Sequence, residues 1–155
     1  MGLFLSNFEC KVDRTGRVSV PKPFRNALAP SSFDGLVLYQ SEDPACLEGA
    51  SYEFLENLAD SLYSDKSPFD PSVMSVATTI LAEAQQLTFD PEGRVRMSDD
   101  FRDYANIKDK ALFFGLGKKF MIWNPEAYQA YRQSQRESAR RDLLNVPSLD
   151  AGKRS

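Results

Sequence analysis

The chain of 155 residues contains no histidine. That removes the commonest general base and the commonest metal ligand at neutral pH. Cysteine is nearly absent too. Cys10 and Cys46 stand alone, with no zinc-ligand spacing and no histidine to activate either thiol. Two isolated cysteines fit a reduced, cytoplasmic chain rather than a disulfide scaffold. No run of 18 apolar residues occurs, so no transmembrane helix is expected. The opening residues Met1 to Ser6 lack the basic flank of a secretory signal. Gly115-Leu116-Gly117-Lys118 lacks the spacing of a phosphate loop and lies between two β-prone runs, so it reads as a hairpin turn. No catalytic residue, metal or cofactor is therefore expected, and an enzyme is not expected either.

The net charge of −3 argues against a uniformly basic nucleic-acid binder. The charge is uneven, however. Residues 11–25 carry Lys11, Arg14, Arg17, Lys22 and Arg25 against Asp13 alone, a net +4. Residues 88–102 carry Arg94, Arg96 and Arg102 against Asp90, Glu92, Asp99 and Asp100, a net −1.

These two stretches are copies. Asp13-Arg14-Thr15-Gly16-Arg17-Val18 matches Asp90-Pro91-Glu92-Gly93-Arg94-Val95, with every matched position 77 residues on. The echo continues from Phe24-Arg25 to Phe101-Arg102. Asp at the first position opens a turn, since its carboxylate accepts from backbone N–H groups two residues on. Gly supplies a positive φ at little steric cost. Arg then begins a strand in which apolar and polar residues alternate. Each copy predicts strand, tight turn with a cationic rim, strand, and a short helix bearing Phe-Arg. Asp13, Gly16, Asp90 and Gly93 are the structural turn residues. Asp13 and Asp90 could also be read as a carboxylate pair, but the turn-forming reading is favoured.

Each half continues with two further strands, around 36–39 and 46–47, and around 111–114 and 120–123. A helix follows in each, over 52–63 from an N-cap at Ser51, and after Asn124-Pro125. An interposed helix over 72–85 joins the halves. The last helix turns highly polar over 132–141, with Leu143 and Leu144 available to dock it, Pro147 to end it, and disorder expected over 150–155. Neither half has enough core positions to fold alone, so one shared core is expected.

The two D-x-x-G-R copies, the first continuing Val-Ser-Val-Pro and the second leading to Gly-x-Gly-x-x-Phe-x-Ile-Trp-x-Pro at 115–125, resemble the MraZ family of bacterial transcriptional regulators. The resemblance covers roughly residues 5–135. It implies an α+β, mainly β fold: a duplicated AbrB-like (SpoVT-AbrB) swapped-hairpin β-barrel with peripheral helices. It divides the chain into a first repeat at 5–51, connecting helices at 52–86, a second repeat at 87–130, and a polar C-terminal helix and tail at 131–155. It implies ring-like homo-oligomers in the cytoplasm, associated with the nucleoid. These would bind tandem repeats in double-stranded promoter DNA of the division-and-cell-wall gene cluster. The family's motif arginine falls on Arg17 and Arg94. Arg14 and Arg96 flank them, and Lys22 and Arg25, as well as Arg14, are expected to hold phosphate. Ser98 stands where proline is frequent, and Asp99 and Asp100 make the second copy acidic. The first copy is therefore expected to carry most of the DNA contact. The alternative reading is an AbrB-like antitoxin or another protein-interaction module.

Overall fold

The computed structural model describes residues 2–42, 44–64 and 66–146. It separates into two compact units, one up to Asn124 and one from Pro125. In the first unit, β1 (Asn7–Lys11), β2 (Arg17–Ser19), α1 (Lys22–Leu28), β3 (Gly35–Ser41), β4 (Cys46–Ala50) and α2 (Tyr52–Ser64) form the first half. After α3 (Pro71–Val76), the series repeats as β5 (Gln85–Thr88), β6 (Arg94–Arg96), α4 (Asp99–Tyr104), β7 (Lys110–Gly115) and β8 (Phe120–Trp123). The second unit holds α5 (Pro125–Asp142) and a 3-10 turn (Leu143–Asn145).

All strand pairs are antiparallel, and the fold is α+β, mainly β. The larger sheet runs β1-β7-β8-β4-β3-β5, and β2 pairs with β6 in a separate ribbon. The halves interlock, because the first strand of each copy leaves its own half. β1 pairs with β7, and β5 pairs with β3. Val18 lies opposite Val95, its own counterpart in the other copy. Glu48 lies opposite Met121, each four residues before its helix start. The pairing pattern is thus two-fold, with its axis through these two rungs.

The core explains why the halves need each other. Phe4, Phe24, Leu36, Leu38 and Leu47 from the first half meet Val95, Met97, Phe113, Phe120 and Ile122 from the second. β3 reads as an unbroken apolar run because both its faces are covered. Leu36 and Leu38 enter this core, while Val37 and Tyr39 join Leu55, Leu58 and Ile80 beneath the helices. The helix ends follow local chemistry. Ser51 Oγ accepts from Phe54 N–H at 3.1 Å at the start of α2. Asp70 Oδ1 accepts from Ser72 N–H at 2.8 Å at the start of α3.

Two expectations change. The helix expected over 72–85 is α-helical only to Val76. It then widens into a π-turn (Ala77–Leu81), and Gln85 already belongs to β5. The apolar spacing is right, but edge pairing with β3 claims the last residues. Leu143 and Leu144, expected to dock the last helix, are instead 46% and 56% exposed in the 3-10 turn. Residues 147–155, including Pro147, lie outside the described residues.

Candidate nucleic-acid interface

The two turns are built alike, and the sequence explains how. Asp13 Oδ1 accepts from the N–H groups of Thr15 and Arg17, both at 2.9 Å, and from Thr15 Oγ1 at 2.8 Å. Its Oδ2 accepts from Arg17 Nε at 2.8 Å. Gly16 N–H closes the turn onto the Asp13 carbonyl at 3.0 Å, with φ +90° at Gly16. In the second copy, Asp90 Oδ1 accepts from the N–H groups of Glu92 and Arg94 at 2.9 Å, and Oδ2 from Arg94 Nε at 2.8 Å. Gly93 closes onto Asp90 at 3.0 Å with φ +78°. Each aspartate therefore organises its turn and also aims the following arginine. The Nε contact engages one of five guanidinium N–H donors, leaving the far end of the group to bind outward. These ion pairs are still partly open to solvent, so their value lies in orientation more than in stability.

The electrostatics follow. Backbone donation from Arg17 and the Thr15 hydroxyl hold the Asp13 carboxyl well below its ordinary value of 3.8. Backbone donation from Arg94 and then its side chain hold Asp90 below the same value. A carboxylate lowered on folding contributes stability that is complete above its unfolded pKa and is lost as pH falls through its folded one. The thermal midpoint should accordingly fall with acidification below about pH 4. The variant Asp13→Asn/Asp90→Asn should start lower at pH 7 and show a shallower acid limb. Circular-dichroism melts from pH 7 to pH 2 test this; parallel curves for wild type and variant would contradict it.

Antiparallel pairing merges the two copies into one surface. Arg17 lies opposite Arg96, and Ser19 opposite Arg94. Val18 and Val95 point into the core, so these four residues share the outward face. Further rungs close each end: Met97 N–H donates to Gly16 at 2.9 Å, and Val20 N–H to Gly93 at 3.2 Å. The five rungs place the two turn glycines about 13 Å apart along the ribbon. At the first turn stand Arg14 and Arg17 from one copy and Arg96 from the other. At the second stand Arg94, with Lys22 and Arg25 following Val20 from the opposite copy. Arg14, Lys22 and Arg96 are exposed; Arg17, Arg25 and Arg94 are half-buried.

The acidic residues of the second copy have a structural use. Ser98 replaces the proline N-cap of α1, its Oγ accepting from Phe101 N–H at 3.3 Å. Asp99 and Asp100 occupy the first turn of α4, where the helix dipole favours negative charge. Asp99 is ion-paired with Arg102.

Sequence reasoning missed the placement of Arg102. Its side chain lies over Gly16, a turn in the opposite copy, as the side chain of Arg25 lies over Gly93. The repeated Phe-Arg was the available signal, but it carried no indication of the crossing. Elsewhere, burial raises the Cys10 thiol to about 11 and the Cys46 thiol to about 12, so neither is poised as a nucleophile. Among the described residues no cluster of three or more His, Cys, Asp or Glu could hold a metal ion. No helix among them is long and apolar enough to cross a membrane.

The fold and the ribbon together define a class: an internally duplicated, mainly β chain in which two Asp-clamped arginine turns share one two-stranded ribbon. A family model described as MraZ protein, with an antitoxin-like character, matches residues 80–144. Relatives named transcriptional regulator MraZ include one from Pelagibacter ubique, 39% identical over 95% of this chain and 92% of its own. One from Rhodospirillum rubrum is 38% identical over 83% of this chain and 84% of its own. One from Caulobacter vibrioides is 35% identical over 91% and 89%. The chain belongs to the MraZ family.

Proposed function

We propose that this chain is a DNA-binding transcriptional regulator and that the β2–β6 ribbon with its two turns is the surface that reads DNA. The observation that carries this reading is the Arg17–Arg96 rung. Like charges placed directly opposite destabilise a strand pair, so hairpin stability does not account for them. A polyanion would neutralise both. The major groove of B-form DNA admits a two-stranded ribbon, and a guanidinium bonded to a guanine edge contributes about 1–3 kcal/mol of discrimination. Arg17, Arg94 and Arg96 are assigned to base edges, and Arg14 and Lys22 to phosphate. Asp13, Gly16, Asp90 and Gly93 shape the turns.

One chain offers few phosphate contacts, so useful affinity requires several copies. A homo-oligomer presenting equivalent ribbons to tandem promoter repeats gains by avidity when the spacings match. The regulated region is taken to be the promoter of the division-and-cell-wall gene cluster, and the protein to act in the cytoplasm at the nucleoid. The repeat boundaries at 5–51 and 87–130 are carried as part of this reading.

The test is fluorescence anisotropy with DNA from upstream of the protein's own gene, at two salt concentrations. Binding should fall steeply with salt. Arg17→Ala should lower affinity by about tenfold or more. Arg94→Ala should cost less, since Glu92 Oε2 already lies 3.5 Å from its Nη2 and its side chain is less exposed than that of Arg17. DNA with three repeats should bind far better than DNA with one. A folded wild type without salt-sensitive binding would favour the antitoxin-like, protein-binding reading instead.

A further inference from the structure

We infer that Arg25 and Arg102 are positioning residues, each setting the turn of the opposite copy, so that each arginine turn is completed by the other half of the chain. This inference rests on the DNA-reading role proposed for the ribbon, and it assigns Arg25 a part other than direct phosphate contact.

The geometry is reciprocal. A Cβ placed on Gly93 would lie 2.8 Å from Arg25 Nη1 and 2.9 Å from its Cδ and Cζ. A Cβ placed on Gly16 would lie 2.8 Å from Arg102 Nε and 3.2 Å from its Cζ. Both guanidinium groups therefore rest on the glycine that gives each turn its positive φ. Each arginine is anchored from below by the phenylalanine before it, Phe24 or Phe101, which is buried in the shared core. Each is also steered from the side. Arg25 Nε donates to the Val20 carbonyl at 3.0 Å, while Val20 N–H donates to Gly93. Arg102 pairs with Asp99, two residues after the Met97 whose N–H donates to Gly16.

The consequence concerns Arg17 and Arg94. Each directly follows a covered glycine, and its backbone N–H is held by the turn aspartate. A guanidinium lying on the glycine limits the φ/ψ the turn can adopt and so limits where the next side chain points. A group acting this way changes affinity through orientation and leaves the count of neutralised phosphates unchanged. A direct phosphate contact would instead contribute about 0.9 to the slope of log affinity against log salt.

The experiment is a double-mutant cycle in the full chain, with an arm that needs no DNA. Arg25→Met keeps the stem and removes the guanidinium. It should weaken promoter binding by several-fold to about tenfold without changing the salt slope. It should be non-additive with Arg94→Ala and additive with Arg17→Ala, although Arg17 is the one in its own copy. Arg102→Met should show the reverse pattern. In DNA-free protein, Arg25→Met should shift the Gly93 and Arg94 amide resonances and leave Gly16 and Arg17 in place; Arg102→Met should do the opposite. Arg25→Lys, which retains a stem over Gly93 and a positive charge, should recover part of the loss and serves if the methionine variant is poorly folded. A lowered salt slope with additivity toward both arginines would overturn the inference in favour of phosphate contact. Equal shifts at both turns would overturn it in favour of general packing. Should wild type fail to bind DNA, the DNA reading falls, and the amide pattern still decides whether the arginines set the turns.

Discussion

Phe24→Ala is expected to destabilise the protein by about 3–5 kcal/mol, the range for an aromatic removed from a core. Phe24 is fully buried. Its ring meets Phe4 edge-on at 5.3 Å and Phe8 edge-on at 5.6 Å, both from the first half. It also meets Phe120 at 5.2 Å and Phe113 at 6.3 Å, both from the second. The substitution thus leaves a cavity where the halves are joined, and no single neighbour can fill it. Since a domain is stable by only about 5–15 kcal/mol, the variant should sit near the edge of folding. Urea denaturation measures the change as a lower midpoint. Phe69→Ala is the control: Phe69 is 88% exposed, and its loss should cost within about 0.5 kcal/mol. A loss below about 1 kcal/mol for Phe24→Ala would mean that the halves do not depend on this cluster.

Gly16→Ala should have the next largest effect, and it should reach function as well as stability. Its φ of +90° lies in the left-handed region, where a side chain costs about 1–3 kcal/mol. Crowding adds to this cost. The new Cβ would lie 2.4 Å from the Met97 carbonyl oxygen and 2.8 Å from Arg102 Nε. The first is backbone and cannot swing aside, so the rung that joins Gly16 to Met97 must open. Gly117→Ala separates the two costs, because Gly117 has φ +88° but nothing within 4 Å of its Cβ position. Gly117→Ala should carry the backbone penalty alone. Chemical denaturation of both variants gives the difference. Promoter binding should fall for Gly16→Ala and hold for Gly117→Ala, whose turn lies outside the ribbon. Equal stability losses would show that the site around Gly16 is not crowded, and would weaken the role given to Arg102.

Much of this fold is legible because it is written in short-range chemistry. The turns follow from an aspartate whose carboxylate reaches N–H groups two and four residues on, and from a glycine at the one position of each turn with positive φ. Ser51 starts α2 as its hydroxyl predicts. The Gly115–Lys118 stretch is a hairpin turn, closed by Leu116 N–H donating to Lys119 at 2.8 Å. The same local logic fails where competition is long-range. Residues 82–85 have helical spacing, yet β3 offers an unpaired edge, and Gln85 pairs there with Leu38.

The candidate site divides along the same line. Its parts, Asp13 with Arg17 and Asp90 with Arg94, are each settled within five residues, so the sequence alone identifies them. Their assembly is not local. Strand partners are chosen by which pairing buries the most apolar surface, a property of the whole chain. Only the tertiary structure decides that Val18 meets Val95, that Arg96 therefore stands beside Arg17 rather than in a separate acidic copy, and that Arg25 and Arg102 cross to the opposite turns. The sequence determined two similar turns. Burial of one core shared between the halves made them a single surface.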